Sequence, residues 1–152
     1  MRNRIAVLAL MLWGVTLAGA LTLFVRGYTT SSPDGRIAVI VTDAEKDMVL
    51  GEMRGMLQAV ADITRALARE DHAAVAAAAK TVGSVAMQND SPALLAKLPL
   101  EFKRSGMAMH DSFDRIAAVA REGKPIREIT ALLGDHLSLC TACHASYRFA
   151  PR

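Results

Sequence analysis

Between Ile5 and Val25 the chain runs 21 residues without a charge. Only Gly14, Thr16, Gly19 and Thr22 interrupt its apolar side chains. As a helix this run is roughly 30 Å long, the thickness of a bilayer's hydrocarbon core. Arg2 and Arg4 precede it and Arg26 closes it, a charge arrangement that keeps the N-terminus in the cytoplasm and exports the C-terminal remainder of the chain. Two fates are open to such a segment. A cleaved signal peptide would use the small residues Ala18-Gly19-Ala20, with the cut after Ala20. An uncleaved anchor would use the whole run. The apolar residues Leu21, Leu23, Phe24 and Val25 continue past the cleavage point, which favours the anchor. Residues 1–26 are therefore read as a transmembrane or signal helix, and the remainder as exported.

The split changes the charge balance. The whole chain has 18 Lys/Arg against 15 Asp/Glu, net +3. Residues 1–26 hold three arginines and no acid, so the exported part is neutral with its histidines uncharged. It offers no electrostatic case for nucleic acid or anionic lipid. At 152 residues and 52% apolar content the chain is too short for two domains and too hydrophobic for disorder. Two cysteines exclude a disulfide-dense scaffold.

Residues 27–42 read as a linker. Tyr28 to Gly35 is rich in turn-forming Thr, Ser, Pro and Gly, and Ile37–Val41 is a short β-prone run, either a strand or apolar packing at a domain entrance. From 43 to 152 the pattern is helical. Thr42 and Glu45 have capping-box spacing, with Asp43 as the rival cap. Val49, Met53, Met56, Val60, Ile63 and Leu67 then recur every three or four residues, one helical stripe. Asp71 can cap a second helix, His72 to Met87, with Val75, Ala78, Ala79, Val82 and Val85 inward. Gln88 to Pro92 is a break, and Leu94 to Leu98 a helical turn. Pro99 suits the start of a third helix carrying Phe102, Met109, Phe113, Ile116 and Val119 to Gly123. Pro125 opens a fourth, to Tyr147, with Ile129, Leu132, Leu133, His136, Leu137, Cys140 and His144 near one face. No β pattern with turn spacing stands out. The expected fold is all-α, an antiparallel four-helix bundle behind the N-terminal helix.

Both cysteines fall in one motif, Cys140-Thr141-Ala142-Cys143-His144. C-x-x-C-H is the c-type haem attachment sequence. Two thiols three residues apart can form thioethers with the two haem vinyl groups, and the adjacent imidazole can bind the iron. Zinc is a weaker reading, because His136, Cys140, Cys143 and His144 on one straight helix cannot surround an ion tetrahedrally. A thioredoxin-like site would need a βαβ context, and a Cys140–Cys143 disulfide would be strained within a helix.

The motif's place, on the last helix of a bundle and followed by Tyr147-Arg148, resembles the class II c-type cytochromes, the cytochrome c′ family. The resemblance covers about Asp43 to Arg148. It implies one covalent haem c on Cys140 and Cys143, with His144 as the proximal iron ligand. In this family the sixth iron position is filled from the first helix. Methionine there gives a low-spin electron carrier, with Met/His ligation raising the potential. An apolar residue leaves a five-coordinate iron that binds NO or CO. The family's apolar positions at +3, +7 and +10 are matched from Met53 by Met56, Val60 and Ile63, although Val49 stands where many members carry Arg. Met53 is the expected ligand and Met56 the runner-up, from which Ala59, Ile63 and Ala66 hold the same positions.

Arg54 and Arg148 are candidate propionate partners, each also readable as a solvated surface charge. His72, His110 and His136 read as surface or satisfied core histidines. Met107 and Met109, with Phe102 and Phe113, read as haem-facing or core packing. No nucleophile–base pair or substrate motif is visible, so the expectation is an electron carrier and not an enzyme. It would be anchored on the periplasmic side of the bacterial inner membrane, with a periplasmic or membrane redox partner and a homodimer permitted by the Ala-rich second helix. A non-haem helical bundle is the remaining alternative.

Overall fold

A computed structural model describes residues 2–89 and 91–151. Asp90, in the expected break, and the terminal Met1 and Arg152 lie outside the described residues. The apolar run forms helix α1, Arg2–Arg26, none of whose span is buried against the rest of the protein. Its last turn leads straight into the domain. Gly27 adopts φ +65°, and a Cβ there would lie 2.5 Å from both Lys97 O and Pro99 N. Only glycine permits that approach. Tyr28 N then donates to Lys97 O at 2.7 Å.

The segment 27–42 is not a simple linker. It carries strands β1, Thr29–Ser31, and β2, Ile37–Val41, paired antiparallel around the turn at Gly35. A third strand, β3, Tyr147–Pro151, lies parallel to β2 with Ile37 opposite Tyr147 and Val41 opposite Pro151. The protein is mainly helical with a small sheet in the order β1-β2-β3. Residues 38–41 of β2 are buried, so the β-prone run is a strand that also packs. The missed partner, β3, comes directly after the cysteine motif's helix without any loop.

Helix α2, Asp43–Leu67, begins at Thr42 with the complete capping box: Glu45 N donates to Thr42 Oγ1, and Thr42 N donates to Glu45 Oε2. Helix α3, His72–Lys80, is capped by Asp71 and is shorter than expected. Beyond Lys80 the chain turns at Gly83, whose Cα sits against the Asp114 carboxylate where a Cβ would not fit. It continues as a 3₁₀ segment, Ser84–Asn89, leaving Val85 outward. Short α4, Pro92–Lys97, precedes α5, Leu100–Arg121, which stops at Gly123 in the left-handed conformation. Helix α6 is Ile126–Ser146.

Two apolar cores result. The larger is shared by α2, α3, α5 and α6 around Ile63, Val75, Phe113, Ile116 and Ile129. The expected bundle is thus matched only in part: one of the four helices has nine residues, and α4 and the sheet are additions. The smaller core packs Val39 and Val41 of β2 against Val49, Leu94 and Leu98. The α2 stripe therefore serves both, with Met56 in the larger and Met53 at the edge of the smaller.

Candidate functional site

An open cleft of about 220 Å³ lies where α2, α5, α6 and the sheet meet. The C-terminal turn of α6 brings Cys143 and His144 to it, and α2 brings Met53 with Leu50 and Lys46. Phe102, Tyr147 and Phe149 give it an aromatic wall, with Phe102 edge-on to Tyr147 at 5.3 Å and to Phe149 at 5.7 Å between ring centroids. Arg36 and Arg148 line it as well. Met53, Cys143, His144 and Arg148, chosen from sequence, are thus collected in one place.

Others are not. Met56 is buried in the larger core and does not reach the cleft. Arg54 is exposed and lies outside the cleft, because one residue beyond Met53 is about 100° around the helix. The basic side chains found instead are Arg36 and Lys46. Neither carried a local signal: Arg36 reaches the site only through the pairing of β2 with β3, and Lys46 lies two turns before Met53.

Arg36 is held in place by Asp34. Its Nη2 and Nε donate to Asp34 Oδ2 at 2.7 and 3.0 Å, and its Nη1 donates to His144 O at 3.4 Å. Arg148 donates to Ser32 Oγ at 3.1 Å and lies 3.9 Å from Asp34. The hydrogen bonds from Arg36 and Ser32 hold the Asp34 carboxyl well below the usual range. The β1–β2 turn therefore holds His144, the last residue of the cysteine motif, and Arg148 beyond it.

Both cysteines are half-buried free thiols. Burial pushes both thiols above their ordinary value, Cys143 further through Cys140. Cys140 does not line the cleft. It sits one turn behind Cys143, with Sγ 3.9 Å from Met109 Sδ and 3.9 Å from His136 Nε2. Met109 is therefore packing beside the motif, while Met107 is exposed. His136 is fully buried against Phe113, and its Nδ1 has no hydrogen-bond partner. It is not the satisfied core histidine expected. Burial, then the nearby His110, keeps it below its usual pKa. His110 is the satisfied one, its Nδ1 2.8 Å from Val82 O, and His72 Nε2 is 2.8 Å from Lys124 O. Among the described residues no three His, Cys, Asp or Glu side chains converge on a metal-sized gap. The set His136, Cys140, Cys143 and His144 is not assembled as a zinc site.

Against protein-family models, curated proteins and solved structures, the chain finds no match.

The residues present suit a haem. A macrocycle with an apolar body and two carboxylates needs apolar walls, basic groups at one rim, and axial donors from opposite sides. Among its lining residues the cleft has Phe102, Tyr147 and Phe149 as apolar surface, Arg36, Lys46 and Arg148 as basic groups, and His144 and Met53 as donor side chains from two helices, while Cys140 lies outside it. The two thiols share the helix that carries His144.

Proposed function

We propose that this protein is an exported, membrane-anchored monohaem c-type cytochrome that passes single electrons. The observation that carries this reading is the shared cleft of Cys143, His144 and Met53, reached from helices α6 and α2. Cys140 and Cys143 would hold haem c by thioethers, His144 would be the proximal ligand and Met53 the distal one. Arg36, Lys46 and Arg148 would pair with the propionates. When bound, the haem supplies a one-electron iron couple; the chain supplies ligation, burial and orientation. The aromatic wall keeps water from one side, which with Met/His ligation favours a raised potential. In this reading α2, α3, α5 and α6 are the four-helix bundle of the class II cytochromes, with the sheet added at its open end. The proposed role is that of a carrier.

The anchor is supported by the exit of α1. Cleavage after Ala20 would leave Leu21, Leu23, Phe24 and Val25 on an exposed stub, each 46–60% accessible. A bilayer covers that surface and water does not. We place the domain on the periplasmic side, where Arg2 and Arg4 direct it. Its redox partner would be a periplasmic or membrane protein.

The test is optical. The protein is purified from a host that exports proteins and attaches haem. Oxidised and reduced spectra are recorded before and after denaturation. Haem that survives denaturation, with sharp reduced α and β bands, is expected. A broad high-spin Soret band overturns Met53 ligation, and haem lost on denaturation overturns the whole reading.

A further inference from the structure

Helix α4 has an uncharged outer face that the cleft does not explain. Leu94 and Leu98 face the smaller core, and Lys97 is paired with Glu45 at 2.7 Å. Pro92, Ala93 and Ala96 are exposed. The C-terminal turn of this helix stands beside the end of α1, and three observations fix the two together. Gly27 leaves no room for a Cβ against Lys97 and Pro99. Tyr28 N is bonded to Lys97 O. Lys103 Nζ is 4.3 Å from the Phe24 ring centroid and 3.3 Å from Leu95 O. Phe24 belongs to the last turn of the apolar run, so the middle of α4 stands level with the end of that run.

We propose that α4 is an interfacial helix whose outer face, Pro92, Ala93 and Ala96, rests in the phospholipid headgroup layer. This rests on the reading of α1 as a membrane anchor. A helix that crosses the bilayer carries its neighbours to a fixed depth when no flexible residue separates them, and Gly27 is locked. At that depth an uncharged face meets lipid and not bulk water. Lys103, its ammonium held over the Phe24 ring and at Leu95 O, sets a positive charge at the same level, where lipid phosphates lie. Tyr28, half-exposed one residue past Gly27, suits the same layer, where aromatic rings with a polar end collect. The occupant is therefore the bilayer that α1 already enters. The consequence is a fixed orientation: the cleft is presented at a set height over the membrane, and a partner in or on that membrane meets it without a flexible tether.

Site-specific photocrosslinking in native membranes tests this on the full haem-loaded chain. Benzoylphenylalanine is placed by Ala96→benzoylphenylalanine and, separately, at Ala93; both positions are exposed and accept bulk. Leu17 in α1 is the membrane control and exposed Arg121, at the far end of α5, the solvent control. After irradiation the adducts are weighed. Phospholipid mass on residues 93, 96 and 17 but not on 121 is expected. Lys103→Glu should then cut the yield at 96 severalfold and leave that at 17. Lipid on 17 alone overturns the inference while α1 remains a membrane helix. A protein adduct at 93 or 96 overturns it in favour of a protein partner, and lipid on 121 as well removes its specificity. No lipid on 17 overturns the anchor reading, and the inference with it.

Discussion

Met53 and Met56 stand one turn apart on the same apolar stripe, yet they do different things. Met56 fills the larger core, 9% exposed; Met53 opens onto the cleft. Met56→Ala should cost about 2–4 kcal/mol of stability by leaving a cavity, with the haem spectrum unchanged. Met53→Ala should cost less in denaturant unfolding and convert a low-spin spectrum to high-spin. A low-spin spectrum lost only in Met56→Ala would reverse the assignment. The stripe made both methionines visible in the sequence and the family spacing fits both; their burial is what differs. The same reasoning could not find Arg36. Its side chain meets His144 across 108 residues, and nothing local in Pro33-Asp34-Gly35-Arg36 reports that. Arg54 illustrates the converse: adjacency on a helix to a residue that lines the cleft places a side chain on another face. His136 was legible as inward-facing but not as unsatisfied. A buried nitrogen without a partner costs about 1–3 kcal/mol, so His136→Leu should be neutral or stabilising at pH 7. Burial holds the folded imidazole below its ordinary pKa near 6.5. The unfolded chain therefore takes up a proton, as pH falls through about 6.5, that the folded state refuses, and stability drops. Urea unfolding at pH 7 and pH 5 should show that the leucine variant lacks this contribution to the loss.

At the scale of elements, helix starts were the most legible feature, because a cap is written in four residues. Thr42 with Glu45, Asp71 and Pro125 all open the helices they suggest. The end of α3 was not legible, since it is imposed from α5. Asp114 accepts from Ser84 N at 2.8 Å and from Lys80 Nζ at 3.1 Å, pulling the chain out of the helix at Gly83. The Ser84 hydroxyl and amide, then Lys80, hold the Asp114 carboxyl down at about 2. A carboxylate with a lowered pKa stabilises the fold fully above its unfolded value near 3.9, and that contribution disappears as pH falls towards 2. With a discount for its partial exposure, Asp114→Asn should cost about 1–2 kcal/mol at neutral pH. Thermal unfolding of the variant and the parent protein should converge near pH 2. A constant difference at all pH values would mean that the hydrogen bonds matter and the charge does not. Gly27 couples elements in a different way. Gly27→Ala adds a methyl group into the Lys97–Pro99 backbone and strains φ, which should cost about 2 kcal/mol or more in chemical unfolding.

The whole molecule divides differently from its composition. By sequence the natural cuts fall after residue 26 and before 43, which isolates a helical domain and discards a polar spacer. The fold keeps only the first cut. None of the α1 span is buried in the domain, so its removal gives up few contacts, among them the Lys103 ammonium over the Phe24 ring and the Thr29 hydroxyl on Arg26 O. Residues 27–42 instead supply the strand between β1 and β3, Val39 and Val41 of the smaller core, and Arg36 of the cleft. The parallel pairing of β2 with β3 joins segments more than 100 residues apart. Such a contact has no periodicity of its own to read, which is why the helices were legible and the sheet was not. Two truncations, each exported behind a cleavable leader, expose the difference. A chain starting at Gly27 should be water-soluble, keep its haem through denaturation and show the spectrum of the full-length protein, with a similar unfolding midpoint. A chain starting at Asp43 loses two of three strands, and Val39 and Val41, each 3% exposed or less. Burying an aliphatic side chain of this size contributes about 1.5–3 kcal/mol, and net stability is only about 5–15 kcal/mol. That chain should unfold at markedly lower denaturant, leave β3 without a partner, and hold haem with an altered or mixed spin state because Arg36 no longer reaches His144. Equal spectra and equal midpoints for the two truncations would show that 27–42 is a spacer after all, and that the cleft is built by helices alone.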